Sequence, residues 1–364
     1  MRCELQNRDS IHRFRYGNGH DSLIRQTKGA ATLQEHAGNY RDQIELRPAA
    51  DEDRPAVLAL LGAALGRDGD PRFARLHSWK HERNTFGASM EWVAVAESRV
   101  VGYRAFLRWE FTDGHRVFRA VRAVDTATDP AWQGKGIFQQ LTTQGLEGAR
   151  ADGVDFVFNT PNDKSRPGYL KMGWQLIGVL TPRLRPRSVA TIPNVLRGRA
   201  PAGHWAERSD VGMQPEQAFA DEGLTEELLA SSGARTGQMT TRRSAEFLRW
   251  RYDGDLLGYR VATIGRDISE GAACFRLRRR GTALEATICD LLVPQDDPSV
   301  RRRLIRTVLR STRADYALLL GGARSDLTIP VARQGPTLTW RSVCEPICPS
   351  LDRWTLTMGD IELF

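Results

Sequence analysis

The sequence predicts an α/β (α+β) protein of two similar domains, each with a mixed, mostly antiparallel central sheet flanked by helices. Three observations predict this class. Runs rich in β-branched and aromatic residues pair as apparent hairpins, amphipathic helical segments lie between them, and one set of motifs recurs in the second half. The chain has 364 residues, which is more than one compact domain usually holds.

Composition limits the compartment and the partners. No apolar run reaches the roughly 18 residues that a membrane-spanning helix needs, and the first twenty residues lack the apolar core of a secretory signal. The five cysteines form no regular framework, which is typical of reduced thiols. The net charge of +8 comes from dispersed arginines, so we do not expect nucleic-acid binding. The sequence therefore predicts a cytoplasmic protein without a membrane segment.

Four segments follow from composition and periodicity. Residues 1–43 are polar and without period, so they are predicted to be an N-terminal extension and a candidate for disorder. Residues 44–180 hold the first domain, and residues 216–364 hold the second. Residues 181–215 are rich in proline, arginine and glycine and are predicted to be the linker.

The elements of the first domain alternate in a recognisable order. A short strand precedes two amphipathic helices, a hairpin and a further strand, and then come a turn, a helix and a last strand. The predicted bounds are 44–49, 51–66, 73–84, 90–111, 121–128, 138–151 and 154–160. In the second domain we predict helices at 216–229, 242–252 and 300–313 and strands at 316–322 and 337–343.

The second half repeats the first at nearly constant spacing. The motif Trp79-Lys80-His81 corresponds to Trp250-Arg251-Tyr252, and the strand around Asp125 corresponds to the strand around Asp290. The offsets are 250 − 79 = 171 and 290 − 125 = 165. So small a drift predicts two copies of one domain.

A glycine-rich turn separates a strand from a helix in the first copy. Small residues let the backbone turn sharply, and the N–H groups of the turn and of the first helical turn then lack internal partners. Together with the helix dipole, these donors form an anion site suited to a pyrophosphate, although a tight turn without a ligand is equally compatible with the glycines alone. The turn consists of Gln133, Gly134, Lys135, Gly136, Ile137 and Phe138.

The spacing from this turn to later residues carries a resemblance. Asn162, Tyr169, Gly173 and Trp174 follow the next strand as N-x6-Y-x3-G-aromatic. With Gln133 and Gly136, the pattern resembles the GNAT acyltransferase superfamily over residues 44 to 178. Phe138 departs from the family, which has glycine or alanine there.

The resemblance implies an acyl-CoA, with acetyl-CoA as the first candidate, bound between two splayed strands, and no metal. The strands would be 121–128 and 154–160. The backbone of Asp125, Thr126 and Ala127 would pair with the pantetheine arm, and Asn162 would hold the arm or the following loop. The resemblance also implies that Tyr169 protonates the departing thiolate; packing against the cofactor sulfur is the alternative role for this tyrosine.

The general base is open at this stage because the family has no fixed base residue. Asp125 is a candidate as base or substrate anchor, with a structural carboxylate as the alternative. Glu91 and Glu110 lie on neighbouring predicted strands. The Phe364 carboxylate is a further candidate, because some tandem relatives use a C-terminal carboxylate.

The second copy lacks this chemistry. Its corresponding turn has no glycine, and Asp296 and Asp297 would repel a pyrophosphate. We therefore predict that the second domain does not bind CoA and instead walls the acceptor pocket.

The leading hypothesis is an N-acyltransferase that moves an acyl group from acyl-CoA to a primary amine of a small molecule, such as an amino sugar or an antibiotic-like acceptor. The oligomeric state, a homodimer included, is left open. Two alternatives are a non-catalytic CoA-binding sensor or scaffold, and an aminoacyl-tRNA-dependent transferase.

Overall fold

A computed structural model describes residues 44–197, 201–232, 236–321, 326–331 and 335–362. The predicted extension 1–43 and the Phe364 carboxylate lie outside the described residues. Within the described part, residues from 44 onward form one compact unit.

The first half follows the predicted order of elements. The strands are β1 (Glu45–Pro48), β2 (Met90–Ala96), β3 (Arg99–Thr112), β4 (Val117–Thr128), β5 (Phe156–Asn159), β6 (Gln175–Val179) and β7 (Pro182–Pro186). The helices are α1 (Arg54–Leu65), α2 (Phe73–His81), α3 (Ile137–Ala151), α4 (Arg166–Lys171) and α5 (Ile192–Arg197).

The second half contains shorter helices than the sequence predicts. The single helix predicted at 216–229 is two helices, because Asp221 accepts a hydrogen bond from the Leu224 N–H and begins a new one. The helices are α6 (Pro215–Ala218), α7 (Glu222–Ser231), α8 (Ala245–Arg251), α9 (Gly254–Leu257), α10 (Pro298–Thr312) and α11 (Met358–Ile361). The strands are β8 (Thr240–Thr241), β9 (Arg260–Thr263), β10 (Ala272–Arg280), β11 (Ala283–Leu292), β12 (Tyr316–Leu320), β13 (Ile329–Pro330) and β14 (Thr337–Ser342).

The described strands form two sheets of similar design. One has the order β1-β2-β3-β4-β5-β14-β6, with β8 paired to β3, and the other has the order β13-β7-β12-β11-β10-β9. Pairing is antiparallel except for β4 with β5 and β11 with β12. The predicted fold class, two mostly antiparallel sheets flanked by helices, is confirmed.

The two sheets exchange strands. β14, predicted as the last strand of the second domain, lies between β5 and β6 of the first sheet. Conversely, β7 lies inside the predicted linker and pairs with β12 of the second sheet. The strand predicted at 337–343 is present, but it pairs within the first sheet and not with strands of the second half, because strand pairing is decided by which edge is open and leaves no trace in local sequence.

Both sheets contain a bulge at the corresponding place. Arg104 pairs with Thr126 and the next residue of β3 pairs with Val124, so Asp125 is an extra residue on β4, and its φ is 37°. In the second sheet the same register shift falls between Cys274 and its neighbour on β10. A bulge redirects the side chains beside it, which places Asp125 off the regular alternation of its strand.

Two tryptophans join the halves through matching contacts. The Trp79 indole N–H donates to the Trp250 carbonyl at 2.7 Å, and the Trp250 indole N–H donates to the Trp79 carbonyl at 2.9 Å. Their rings are stacked with centroids 5.2 Å apart. Trp79 and Trp250 occupy the same position in the two copies of the repeated motif. The two copies therefore contact each other through reciprocal hydrogen bonds, as in an approximately two-fold interface.

In the part of the chain that the structure describes, no helix combines the length and the apolar composition that a bilayer crossing needs.

Substituting Trp79→Phe removes one indole donor and leaves the buried Trp250 carbonyl without it, which is expected to lower the free energy of unfolding by about 1–3 kcal/mol. Trp250→Phe should cost a similar amount because the contact is reciprocal. Chemical denaturation of the singles and the double variant measures the coupling. Because the stacked rings share one contact, the double variant should lose less than the sum; strictly additive losses would contradict this interpretation.

Candidate active site

The strands β4 and β5 pair over only three residues and then separate. They pair at Ala120 with Phe156, through to Arg122 with Phe158, and no later pair joins them among the described residues. A cavity of about 540 Å³ opens at this split. Its lining includes the ends of both strands, from Ala123 to Thr126 and from Asn159 to Asn162. The backbone of β4 beyond Arg122 therefore has no β5 partner among the described residues.

The glycine turn has the backbone geometry of an anion site. Gly134 and Gly136 have φ values of 79° and 80°, a region that residues with a side chain rarely adopt. Gly136 is the N-cap of α3 and no side chain caps this helix. The first-turn N–H groups therefore have no capping side chain, and the positive end of the helix dipole is open to a ligand.

The other residues of the turn have local partners. The Lys135 ammonium lies 4.0 Å from the centroid of the Trp132 ring, and the Gln133 side chain donates to the Thr128 carbonyl at 3.2 Å. None of the residues from Gln133 to Phe138 lines the cavity at the split. The turn and the cavity are therefore separate features.

Asn162 organises its own loop. Its side-chain oxygen accepts hydrogen bonds from the Lys164 N–H at 3.1 Å and from the Ser165 N–H at 2.9 Å. These contacts shape the approach to α4, and Asn162 also lines the cavity, so both roles that the resemblance implies for it remain proposals.

Tyr169 lies on α4 and lines the cavity. Its ring is buried between Trp174, at 5.1 Å between centroids, and Phe138, at 5.4 Å. The Phe138 ring thus faces inward from α3 to α4. This contact explains the departure from the family at Phe138: the ring packs against the tyrosine and still leaves the helix N-terminus without a capping side chain.

Arg104 is buried beside these rings without a hydrogen-bond acceptor. The residue is 0% exposed, and none of its three guanidinium nitrogens has a partner among the described residues. The guanidinium carbon lies 5.5 Å from the Phe138 centroid and 5.3 Å from the Tyr169 centroid. Aromatic faces stabilise a cation in part, but they do not replace hydrogen bonds. An anion near these rings would compensate the charge.

Asp125 is hydrogen-bonded to two basic residues on α2. Its carboxylate accepts from the Lys80 ammonium at 2.9 Å and from the His81 ring at 2.8 Å. Burial by itself would raise the pKa of Asp125, but the charge of Lys80 and the hydrogen bond from His81 hold that pKa well below its usual value. So acidic a carboxylate is a poor proton acceptor at neutral pH, which favours the structural or anchoring role over the predicted role of general base.

The other predicted carboxylates lie away from the cavity. Glu91 accepts a hydrogen bond from the Tyr103 hydroxyl at 2.6 Å, and Glu110 pairs with Arg242 at 2.8 Å. Neither glutamate is part of the cavity lining.

The C-terminal segment closes the cavity from the second half. Arg122 of β4 donates to the carbonyls of Asp360 and Ile361, each at 2.7 Å. Glu362 lines the cavity and pairs with Arg276 at 2.5 Å and with Arg278 at 2.6 Å. The predicted role of the second half as a wall of the pocket remains a proposal, and these contacts support it.

The corresponding helix of the second half is capped. Asp297 accepts a hydrogen bond from the Ser299 N–H at 2.7 Å, so a carboxylate already occupies the N-terminus of α10. A carboxylate at this position disfavours an anionic ligand there, and the absence of pyrophosphate binding in the second copy stays a prediction.

Several site residues were not found by sequence reasoning. They belong to none of the motifs assigned to CoA, and all but Arg122 lie on elements other than the strands and the turn assigned to CoA. Lys80 and His81 belong to the repeated motif, which was the one signal available. The residues are Arg67, Lys80, His81, Arg104, Arg122, Arg276, Arg278 and Glu362.

Comparisons with known proteins address the first half by sequence and most of the chain by fold. The family model of the acetyltransferase (GNAT) domain matches residues 45–177. No curated protein matches the chain.

Solved structures resemble the chain over most of its length. A conserved protein of unknown function from Enterococcus faecalis, described as a probable N-acyltransferase, has a TM-score of 0.57 at 11% identity, covering 83% of this chain and 73% of its own. A GCN5-related N-acetyltransferase from Anabaena variabilis has a TM-score of 0.57 at 12% identity, covering 82% and 73%. One from Kribbella flavida has a TM-score of 0.56 at 14% identity, covering 83% and 72%. At such identities the likeness is one of fold.

Substituting Arg104→Met removes a buried charge that lacks a hydrogen-bond acceptor within the described residues, so the free energy of unfolding is expected to rise by about 1 kcal/mol. Arg108→Met on the same strand is the control. Arg108 pairs with Asp152 and donates to the Ala88 carbonyl, so its loss should destabilise the protein. Urea denaturation of both variants measures the difference; a loss of stability in Arg104→Met would contradict the assignment.

Substituting Lys80→Met should lower the free energy of unfolding at pH 7 by about 1–3 kcal/mol, because it leaves the partly buried Asp125 carboxylate with one partner fewer. A lowered carboxylate pKa stabilises the fold above the unfolded value, about 4, and this contribution is lost as the pH falls through the folded pKa. The difference in free energy of unfolding between Lys80→Met and the parent protein should therefore become smaller below about pH 4. In denaturation series across pH, Arg99→Met, which removes an exposed pair, should stay within about 0.5 kcal/mol. A difference in free energy of unfolding that does not change with pH would refute the link between the Asp125 pKa and stability.

Proposed function

We propose that this protein transfers an acyl group, with acetyl as the first candidate, from acyl-CoA to a primary amine of a small molecule. The match of residues 45–177 to the model of the acetyltransferase (GNAT) domain supports this proposal. The observation that carries this proposal is the cavity at the split between β4 and β5, because it brings free strand backbone and Tyr169 to one place.

The residues present fit an acyl-CoA. The uncapped N-terminus of α3 after Gly136 offers backbone donors and a positive dipole to the pyrophosphate. Asp125, Thr126 and Ala127 have no strand partner on the β5 side among the described residues, and there their backbone offers hydrogen bonds to the pantetheine amides, like an added strand. Arg104 adds a positive charge beside Tyr169, which would favour a negative sulfur over the neutral thioester.

Tyr169 is proposed as the general acid. The amine nitrogen bonds to the thioester carbon as the C–S bond breaks, and the phenol gives its proton to the sulfur. The amine proton passes to water, from which Tyr169 is protonated again. A phenol and a thiol have similar ordinary pKa values, so the transfer is close to balanced.

One observation favours a second candidate, a non-catalytic acyl-CoA-binding protein. Both carboxylates that line the cavity, Asp125 and Glu362, are paired with cations. A dedicated base is therefore not evident among the described residues. Tight CoA binding without thiol release on any amine would support this candidate.

Two substitutions separate the chemical step from binding. Tyr169→Phe deletes only the hydroxyl, so thiol release from acetyl-CoA should fall about 100-fold in kcat while CoA affinity stays unchanged. Gly136→Glu places a negative charge, of the same sign as the pyrophosphate, at the helix N-terminus, and it forces a side chain into a positive φ. CoA affinity should therefore fall at least about tenfold. A thiol assay and calorimetry measure the two effects.

The control for the glycine is Gly237→Glu. Gly237 has a φ of 85° and open space around it, so the variant carries the same charge and strain away from the turn. It should bind CoA like the parent protein. Unchanged thiol release in both Tyr169→Phe and Gly136→Glu would refute the assignment of the site.

A further inference from the structure

The cavity at the split is lined by more cations than anions. Five cationic and two carboxylate side chains contribute to its wall, so the wall has three more positive than negative side chains. The cations are Arg67, Lys80, Arg122, Arg276 and Arg278, and the carboxylates are Asp125 and Glu362.

Both carboxylates of the wall already form ion pairs. Asp125 pairs with Lys80, and Glu362 pairs with both Arg276 and Arg278. Arg122 donates to carbonyl oxygens and to the Thr160 hydroxyl, and it makes no ion pair within the described residues. The excess charge is therefore not neutralised by the wall itself.

Arg67 is a buried guanidinium aimed at the cavity without a full set of partners. It is 7% exposed, and its Nη1 has no acceptor in the described part of the chain. Its Nη2 lies 3.5 Å from His204 Nδ1, and its charged group lies 5.6 Å from the centroid of the Trp205 ring. Burial lowers the pKa of Arg67 from its ordinary value, which reflects the cost of a charge held away from water.

We infer that the acceptor amine carries an acidic group, a carboxylate or a phosphate, which Arg67 and Arg122 bind in this cavity. The inference rests on the proposed function, since it names the acceptor class for the same site. An anionic acceptor compensates two guanidinium groups that the wall leaves unneutralised. Acceptors with positive charge alone, such as polyamines, meet repulsion from the same groups.

The phosphates of CoA do not account for these cations. The glycine turn that suits a pyrophosphate contributes no residue to the cavity lining. Arg67 follows α1, and Arg276 and Arg278 come from β10 of the second half, so the cations arise from elements other than the turn. A volume of about 540 Å³ suits a small acceptor.

A cationic cavity also assists the reaction. Positive neighbours disfavour the protonated form of an amine and so increase the fraction that is nucleophilic. This effect replaces part of the work of a general base, which neither paired carboxylate of the wall is suited to perform. The acidic group of the acceptor holds it in place while the field of the wall acts on its amine.

Matched acceptor pairs test the inference. Glucosamine 6-phosphate is compared with glucosamine, and alanine with alaninamide, with acetyl-CoA as donor and thiol release as readout. At least one anionic member should have a kcat/KM about tenfold or more above its neutral counterpart, as expected for a charge-assisted hydrogen bond. The phosphate and carboxylate arms distinguish the two acidic groups.

Variants assign the preference to the wall. Arg67→Met should bring the ratio of kcat/KM between the anionic and the neutral acceptor of each pair close to one, mainly by raising KM for the anionic acceptor. Arg67→Lys should restore part of the preference for the anionic acceptor. Arg279→Met is the matched control, because Arg279 lies on β10 beside Arg278 with an exposed side chain and does not line the cavity. Its ratio should equal that of the parent protein.

The failure of this inference differs from the failure of the proposed function. Equal or better turnover of the neutral members, or a preference that survives Arg67→Met, overturns the acidic acceptor while acyl transfer stands. Calorimetry of glucosamine 6-phosphate and alanine needs no turnover. Binding that is lost in Arg67→Met, without thiol release from any acceptor, supports the acidic ligand and refutes acyl transfer; no binding and no preference overturns the inference.

Discussion

The reciprocal exchange of two strands is the constraint on which the rest of this structure depends. β14 from near the C-terminus lies between β5 and β6, and β7 from the first half pairs with β12 of the second. Buried backbone N–H and C=O groups need partners, so neither sheet would be complete with strands from its own half. The stacked Trp79 and Trp250 join the same two halves from their cores. The halves therefore fold as parts of one unit rather than as independent modules.

The exchange also brings together the walls of the cavity. The Thr339 hydroxyl of β14 donates to the Asn159 side chain at 2.5 Å and holds the end of β5 where it leaves β4. The chain after β14 then reaches β4, where Arg122 holds its carbonyl oxygens and Glu362 enters the wall. A cavity that opens between two strands of the first sheet is thus closed by residues near the end of the chain. This arrangement explains how a half with a capped helix N-terminus at Asp297 can still contribute to the proposed acceptor site.

Charge in this region follows a consistent pattern. The carboxylates of the cavity wall are paired with cations, whereas the guanidinium groups of Arg67 and Arg104 have unmet hydrogen-bonding capacity within the described residues. Buried charge without compensation costs stability, and a fold retains it where a ligand provides the compensation. Arg104 lies beside Tyr169 and Phe138, on the side proposed for the donor, and Arg67 lies in the cavity proposed for the acceptor. In the function and the acceptor class that we propose, CoA would supply the anion at the first place and the acceptor would supply the anion at the second.

The sequence by itself determined the features that depend on neighbouring residues. The order of strands and helices in the first half, the sharp turn at Gly136 before α3, and the recurrence of Trp79 as Trp250 follow from local spacing and periodicity. Only the tertiary structure decided the placement of β7 and β14, the partners of Asp125 and the burial of Arg104. Each of these depends on contacts between residues far apart in the chain, and a local pattern cannot reveal which distant edge a strand joins or which cation a carboxylate meets.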